Sequence, residues 1–237
     1  CWTRDANGGA EILPLMLQQK IEVLHINHGA MFPLNGWLSN VILQARAQGI
    51  RIVTTFHTTE SQDERLAEVA RLSDACWVHH PQNIIELVAL GAPADRIQCL
   101  PIPVGELEFT DLAEAKLALD WDPAQKVIAT FGMIDPHKGI LGLINAMPAL
   151  QNRVNAKLLI IGTPHPESEE GAQYLLTCMN RVLDLGLQES VRFLTEFVPE
   201  AELTATLQAC DVIALNYASD RFEGSACLTR ALAAGRP

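Results

Sequence analysis

The chain has 237 residues, enough for two modest domains or one large one. Its formal charge of −11 at pH 7 argues against nucleic acid as the main partner, and no run of basic residues contradicts this. Hydrophobic residues make up 49% of the chain and aromatic residues only 5%, which is typical of an aliphatic α/β core. No apolar run reaches the roughly 18 residues of a membrane-spanning helix.

The cysteines predict a reducing environment, because they lie in apolar sequence without a CxxC pair or metal-ligand spacing. They are Cys1, Cys76, Cys99, Cys178, Cys210 and Cys227. We therefore expect buried thiols and a cytoplasmic location. The sequence opens without Met and stops after Ala-Ala-Gly-Arg-Pro, where a strand would be expected to follow a helix. We interpret it as a fragment, truncated at both ends.

The first part of the chain predicts alternating strands and helices joined by short loops. Predicted strands cover 21–26, 51–56, 76–78 and 96–102, and predicted helices cover 12–17, 35–48, 62–72 and 83–90. Asn35 is a plausible N-cap for the second helix, and Gly49 follows its end. This alternation is typical of a parallel sheet with helices on both faces.

An acidic, loop-like segment then separates two halves. We predict a first domain over 1–105, a linker over 106–124 and a second domain over 125–237. The second half repeats the β-α alternation. Its predicted strands cover 126–131, 157–161, 191–194 and 212–215, and its predicted helices cover 140–152, 170–185, 200–209 and 226–234.

The stretch from Val127 to Gly139 predicts an anion site. A buried strand ends at Gly132, a loop containing Lys138 follows, and a helix begins near Ile140. Backbone N–H groups and the helix dipole favour phosphate there, and the lysine adds a point charge. An ordinary turn with a solvated lysine fits the same residues.

Two further loops follow strand ends at the edge where open α/β sheets bind ligands, one over 163–166 and one over 218–226. In the second loop, Glu223 could bind hydroxyl groups, and the N–H groups after Gly224 could face an anion. From these residues alone, an acid that complements the dipole of the last helix is the favoured interpretation of Glu223.

The order and spacing of several short motifs resemble the glycosyltransferases of family 4, which have the GT-B architecture of two Rossmann-like domains. The clearest are Gly-Met-Ile-Asp-Pro-His-Lys-Gly at 132–139, Leu-Leu-Ile-Ile-Gly at 158–162, Val-Arg-Phe-Leu at 191–194, Ala-Cys-Asp-Val-Ile at 209–213, Glu-Gly-Ser at 223–225 and Ala-Leu-Ala-Ala-Gly-Arg-Pro at 231–237. In the first half, 27–29 and 54–57 resemble the acceptor-side loops of that family.

The resemblance implies a retaining enzyme that moves a sugar from a UDP- or GDP-sugar to an acceptor hydroxyl on a polysaccharide, glycolipid or similar molecule. Lys138 would neutralise the departing diphosphate, and Glu223 would hold hydroxyls of the donor sugar. The donor site would also include Gly132, Gly224, Ser225, Ala226 and Arg230, and the acceptor side His28, Gly29 and His57. His57 would lie near the transferred sugar. We expect no protein-bound cofactor or metal, and a lipid-linked acceptor would bring peripheral association with a membrane.

Two positions depart from the family pattern. Met133 stands where many members have an arginine, and Arg230 stands where many have a second glutamate that grips the donor ribose. A subgroup with Pro-His-Lys-Gly in the first loop has the same arginine. We hypothesise that Arg230 replaces the missing loop arginine as a second diphosphate cation. A structural helix residue is the alternative.

Other histidines carry less weight in the sequence. His79 and His80 could suggest a metal, but neighbouring side chains of a strand point to opposite faces. His25 fits a core or rim position, and His137 borders the phosphate loop. A dinucleotide-dependent oxidoreductase is disfavoured because no GxGxxG motif is present. A non-catalytic nucleotide-sugar-binding or scaffold protein of the same fold remains the alternative function.

Overall fold

The structure is a computed structural model that describes residues 12–29, 37–59, 64–106, 109–166, 168–218 and 224–237. The chain divides into two compact units. The first unit runs to Ile102 and also includes Gly224, and the second begins at Pro103 and ends at Pro237. This division falls three residues before the position 105 that the sequence suggested.

The first unit is a parallel sheet with strand order β1-β2-β3-β4 in the described residues. Its strands are β1 (Val23–His28), β2 (Arg51–Phe56), β3 (Ala75–Val78) and β4 (Ile97–Cys99), and its helices are α1 (Ile12–Gln18), α2 (Trp37–Ala47), α3 (Glu64–Leu72) and α4 (Pro81–Ala89). Ile52, Phe56 and Val78 are buried in the sheet, and Ile42 and Leu66 are buried on the helices that pack against it. Each helix thus places an apolar stripe on the sheet.

The second unit is also a parallel sheet in the described residues, with strand order β7-β6-β5-β8. The strands are β5 (Val127–Phe131), β6 (Lys157–Ile161), β7 (Val191–Leu194) and β8 (Val212–Ile213), and the helices are α5 (Leu112–Ala118), α6 (Ile140–Val154), α7 (Glu169–Asp184), α8 (Glu200–Gln208) and α9 (Ala226–Ala233). Because β8 returns to the far side of β5, the strand order reverses between these two neighbours.

Helices cover both faces of the second sheet. On one face, Ala129 and Phe131 of β5 share a core with Leu207 of α8 and Ala231 of α9. On the other face, buried residues of β6, α6 and α7 form a second core. They are Leu158 and Ile160 of β6, Ile144 and Met147 of α6, and Cys178 and Val182 of α7. Burial on both faces explains why the strands read as continuous apolar runs in the sequence.

The segment over 106–124 was expected to be loop-like, and this expectation was wrong in its centre. Helix α5 forms there because the Asp111 side chain accepts hydrogen bonds from the N–H groups of Ala113 (2.8 Å) and Glu114 (3.2 Å). Lys116 lies fully buried on this helix, so a charged residue occupies a core position and conceals the helical pattern. The predicted strand over 96–102 is also shorter, since only 97–99 pair with β3.

Asp211, the residue before β8, binds groups from α5, from the residue before β5 and from the first residue of β5. Its carboxylate accepts hydrogen bonds from Lys116 Nζ (2.6 Å), Lys126 Nζ (3.0 Å) and the N–H of Val127 (2.9 Å). The Lys116 ammonium also donates to the Gln125 carbonyl at 2.6 Å. Burial alone would raise the pKa of Asp211, but the hydrogen bonds from Lys116, Val127 and Lys126 outweigh it and lower that pKa.

Removing this carboxylate should cost much of the stability of the second unit. We expect Asp211→Ala to lower the free energy of unfolding by about 3–5 kcal/mol, because it leaves the buried ammonium of Lys116 uncompensated. Glu200→Ala is the matched control, since it removes the carboxylate of the exposed pair between Glu200 and Arg230 and should cost at most about 1 kcal/mol. Urea unfolding of both variants measures the difference, and equal losses would contradict this role of Asp211.

Candidate functional site

The reversal of strand order in the second unit creates the place where a ligand is expected. β5 and β8 are parallel neighbours with Ile128 opposite Val212. The chain leaves β5 for α6 on one face of the sheet and leaves β8 for α9 on the other. Such a divergence opens a crevice at the carboxyl ends of the two strands.

The loop after β5 holds its shape through two glycines. Gly132 has φ 116°, and a Cβ there would lie 2.7 Å from Cys227 Sγ. Gly139 has φ 63°, and a Cβ there would lie 1.9 Å from the carbonyl oxygen of Asn216. Both conformations favour glycine. The Asn216 side chain also donates to the Gly139 carbonyl at 3.0 Å, which joins the loop after β8 to the start of α6.

Lys138 ends a short 3-10 turn over Pro136–Lys138. The Asp135 side chain caps this turn by accepting a hydrogen bond from the His137 N–H at 3.1 Å, and it also contacts the His137 ring. The turn therefore fixes the backbone from which Lys138 projects. His137, which the sequence placed beside the phosphate loop, shapes the turn through these bonds.

Tyr217 lies beneath the lysine and connects it to the last helix. The Nζ atom of Lys138 lies 4.5 Å from the centroid of the Tyr217 ring, a distance suited to a cation–π contact. The Tyr217 hydroxyl is hydrogen-bonded to Ser225 Oγ at 2.7 Å, and that oxygen accepts the Leu228 N–H at 3.1 Å as the N-cap of α9. Burial raises the pKa of Tyr217, so the phenol is neutral at pH 7.

The start of α9 therefore faces the same crevice as the lysine loop. Ala226 is its first residue, and the first turn of any helix has N–H groups without a partner inside the helix. Arg230 pairs with Glu200 at 2.7 Å, and both side chains are at least half exposed. Gly224 is exposed and is grouped with the first unit, while Glu223 lies outside the described residues.

In the first unit, histidines gather at the carboxyl ends of β1, β2 and β3. His28 is buried, and its carbonyl accepts the His57 N–H at 2.7 Å. Gly29, directly after His28, is half-buried. The His57 ring contacts Asn27 Oδ1 at 3.1 Å and His79 Nε2 at 2.9 Å. Removal from water is the largest cause that lowers the pKa of both His28 and His57.

His25, His79 and His80 have separate partners. His25 is hydrogen-bonded to Thr55 Oγ1 at 2.8 Å, which agrees with a rim position. His80 Nδ1 accepts the Gln82 N–H at 3.2 Å and caps α4, whereas His79 turns toward His57. Within the part of the chain that the structure describes, no group of three or more His, Cys, Asp or Glu residues could hold a metal ion.

The sequence-predicted donor residues Gly132, Lys138, Ser225 and Ala226 lie on the two loops that meet at the crevice. Sequence reasoning missed Tyr217, which joins these loops. Its signal was available, because it is an aromatic residue four positions after the end of β8 in a chain with few aromatics. It also missed the pairing of His79 with His57, which joins residues 22 positions apart.

The sequence pattern of the glycosyl transferases group 1 family matches residues 113–237, more than half of the chain. The chain belongs to this family. The resemblance found in the sequence is thereby confirmed at the level of this family. Assignment to family 4 and to its Pro-His-Lys-Gly subgroup remains a prediction. None of the curated proteins with which the chain was compared matches it.

Solved structures confirm the fold class, two Rossmann-like units of the GT-B type. HepE of Anabaena in complex with UDP-glucose matches with a TM-score of 0.71 and 16% identity, over 97% of this chain and 62% of that one. Sucrose-phosphate synthase from Thermosynechococcus elongatus matches with a TM-score of 0.73 and 21% identity, over 97% and 58%. A glycosyltransferase from Rickettsia africae matches with a TM-score of 0.66 and 16% identity, over 98% and 60%. The chain thus spans about three fifths of the length of these structures.

Proposed function

We propose that this protein is a retaining glycosyltransferase of family 4 that transfers a sugar from a nucleoside diphosphate sugar to an acceptor hydroxyl. The acceptor would be a polysaccharide, a glycolipid or a similar glycoconjugate. The observation that carries the proposal is the crevice between β5 and β8, where Lys138, Tyr217 and the capped start of α9 come together. A cation and a helix N-terminus that share one crevice suit a diphosphate.

The proposed chemistry follows from where negative charge develops. When the bond between the anomeric carbon and the diphosphate breaks, charge accumulates on the leaving phosphate oxygens. Lys138 would stabilise that charge, and the N–H groups at the start of α9 would bind the same diphosphate. Glu223 would hold hydroxyls of the donor sugar. His28, Gly29 and His57 of the first unit are proposed for the acceptor side, with His57 near the transferred sugar.

We propose UDP as the nucleotide of the donor in preference to GDP. The structures of HepE contain UDP or UDP-glucose, and their fold matches 97% of this chain. The sequence alone did not distinguish the two bases. The proposal requires no metal or cofactor held by protein side chains, because Lys138 and the helix start can together offset the diphosphate charge.

A cytoplasmic location is part of the proposal. The described cysteines Cys76, Cys99, Cys178, Cys210 and Cys227 are free thiols. Burial raises the pKa of Cys76 and Cys178 to about 11 and that of Cys210 to about 12, so these thiols are unreactive. No described helix combines the length and the apolar character needed to cross a membrane. Peripheral association with a membrane is proposed only together with a lipid-linked acceptor.

The main experiment is a calorimetric titration of the chain with UDP and GDP. We expect UDP to bind, and Lys138→Ala to weaken it about 10-fold or more, since a hydrogen bond to a charged group contributes about 1.5–3 kcal/mol. Lys157→Ala is the matched control, because it removes the same charge from the amino end of β6. UDP binding that survives Lys138→Ala at full strength would contradict the assigned role of Lys138.

Tyr217 can be tested by separating its ring from its hydroxyl. Tyr217→Phe keeps the ring under Lys138 and should keep UDP affinity within about 3-fold. Tyr217→Leu removes the ring and should weaken UDP binding by about 3- to 10-fold, because the ammonium loses a cation–π contact of about 0.5–2 kcal/mol and with it a fixed position. Tighter UDP binding by Tyr217→Leu would contradict this role, because it would mean that the ring competes with the ligand for Lys138.

Arg230 remains our hypothesis for a second diphosphate cation, and its contact with Glu200 sharpens the test. If the guanidinium serves the diphosphate, Arg230→Ala should weaken UDP binding about 3-fold or more, since an exposed cation contributes less than a buried one. Glu200→Gln keeps the arginine and frees it from its carboxylate, so affinity should not fall. Unchanged UDP affinity in Arg230→Ala would contradict the hypothesis and would mean that this arginine has only a structural role.

A non-catalytic nucleotide-sugar-binding protein is the second candidate. The observation that favours it is Arg230, which replaces the glutamate expected in the last helix and pairs with Glu200. Both candidates predict UDP binding, so the titration does not distinguish them. Release of free sugar from a UDP-sugar, or its transfer to an acceptor, by the protein would identify the enzyme.

A further inference from the structure

Two histidines in the first unit form a direct ring-to-ring hydrogen bond. His57 follows β2 and His79 follows the neighbouring strand β3. Their ring centroids are 4.8 Å apart, and His57 Nδ1 lies 2.9 Å from His79 Nε2. A contact this short requires a proton on one of these nitrogens and a lone pair on the other.

The other nitrogen of His79 decides which of the two carries the proton. His79 Nδ1 lies 2.9 Å from the carbonyl oxygen of Leu100, which can only accept. Nδ1 of His79 is therefore protonated, and in the neutral ring Nε2 has the lone pair. It follows that His57 Nδ1 donates to His79 Nε2. A neutral His57 then has its own lone pair on Nε2.

The surroundings of the pair favour its neutral form. Asn27 Oδ1 lies 3.1 Å from His57 Nε2, and if that oxygen accepted, the two rings would share three protons and one positive charge. Partial removal from water, His79 and His25 all lower the pKa of His57, which favours the neutral pair. The Asn27 amide then turns by half a revolution and directs its NH₂ group at Nε2, a change that leaves its volume the same.

We propose that His79 is a positioning residue that holds His57 in the Nδ1-protonated tautomer, so that Nε2 of His57 accepts a hydrogen bond. In the chain alone the Asn27 amide would donate to it. During transfer a hydroxyl of the sugar or of the acceptor would take the place of that amide, and this second step rests on the proposed function. His57 would thus bind a hydroxyl that donates a hydrogen bond to Nε2, because the tautomer of a histidine determines which of its ring nitrogens accepts.

The sequence supplies an internal control one residue away. His80 is the N-cap of α4, and its Nδ1 accepts the Gln82 N–H at 3.2 Å. His80→Ser removes an imidazole from the same segment and places a favoured N-cap residue there. His79→Phe keeps a ring of similar size and removes both nitrogens. The two variants therefore differ in whether the partner of His57 is lost.

The test is the ¹⁵N chemical shift of both ring nitrogens of His57 at pH 8 in the labelled chain. We expect a protonated Nδ1 and a bare Nε2 in the intact chain and in His80→Ser, and loss of this preference in His79→Phe. A protonated Nε2 in the intact chain, or the same tautomer in folded His79→Phe, would overturn the proposal. If His79→Phe does not fold, His79→Gln replaces it. Its amide oxygen should keep the tautomer, and a mixture there would overturn the proposal.

A pH titration of His57 gives a second test, because a purely structural role of His79 would not change the pKa of His57. The titratable groups that face His57 among the described residues are His25 and His28 on β1 and His79 after β3. His79→Gln removes the second imidazole but keeps an oxygen that can accept the Nδ1–H of His57, whereas His79→Phe removes both. Because that hydrogen bond is stronger when His57 is charged, the pKa of His57 should be higher in His79→Gln than in His79→Phe, and equal values would count against the pairing. These measurements need no substrate, so absence of sugar transfer would overturn the proposed function and leave the tautomer result standing.

Discussion

The carboxylate of Asp211 determines how the second unit is assembled. It receives the ammonium of Lys116 from α5, the ammonium of Lys126 and the N–H of Val127 at the start of β5. Since Asp211 directly precedes β8, these bonds set the amino ends of β5 and β8 side by side. The register of the pair then fixes where both strands end, and the two loops of the proposed donor site leave from those ends. A buried ion pair at the amino ends of the two strands thus positions the proposed ligand site at their carboxyl ends.

The fold could be predicted where one physical signal was dominant. Strands over 157–161 and 191–194 have the predicted bounds, because Gly162 follows the first strand and the polar residues Ser190 and Thr195 flank the second. Helix α5 could not be predicted, since its buried face includes Lys116, whose charge is compensated only by residues distant in sequence. The strand at 97–99 was predicted too long, because prolines follow it and end the pairing with β3.

The candidate site could be predicted only in part for the same reason. Lys138 and Ser225 belong to local motifs, so the sequence identified their loops. The contacts that hold them, from Lys138 to the Tyr217 ring and from the Tyr217 hydroxyl to Ser225, connect segments that no local pattern links. His79 and His80 have separate partners, but both follow the end of β3, so strand alternation does not explain this and does not show that His79 contacts His57. Glu223 lies outside the described residues, and its role stays a prediction.

The contact between Gly139 and Asn216 has a consequence for how this protein can change in evolution. The space for a side chain at Gly139 is filled by the backbone carbonyl of Asn216, and the Asn216 amide returns a hydrogen bond to Gly139. A side chain at Gly139 would therefore displace the loop after β8, and a substitution of Asn216 would remove its hydrogen bond to the loop after β5. Sequence changes in the loop after β5 are therefore constrained by the loop after β8, and the constraint acts through one backbone oxygen and one amide.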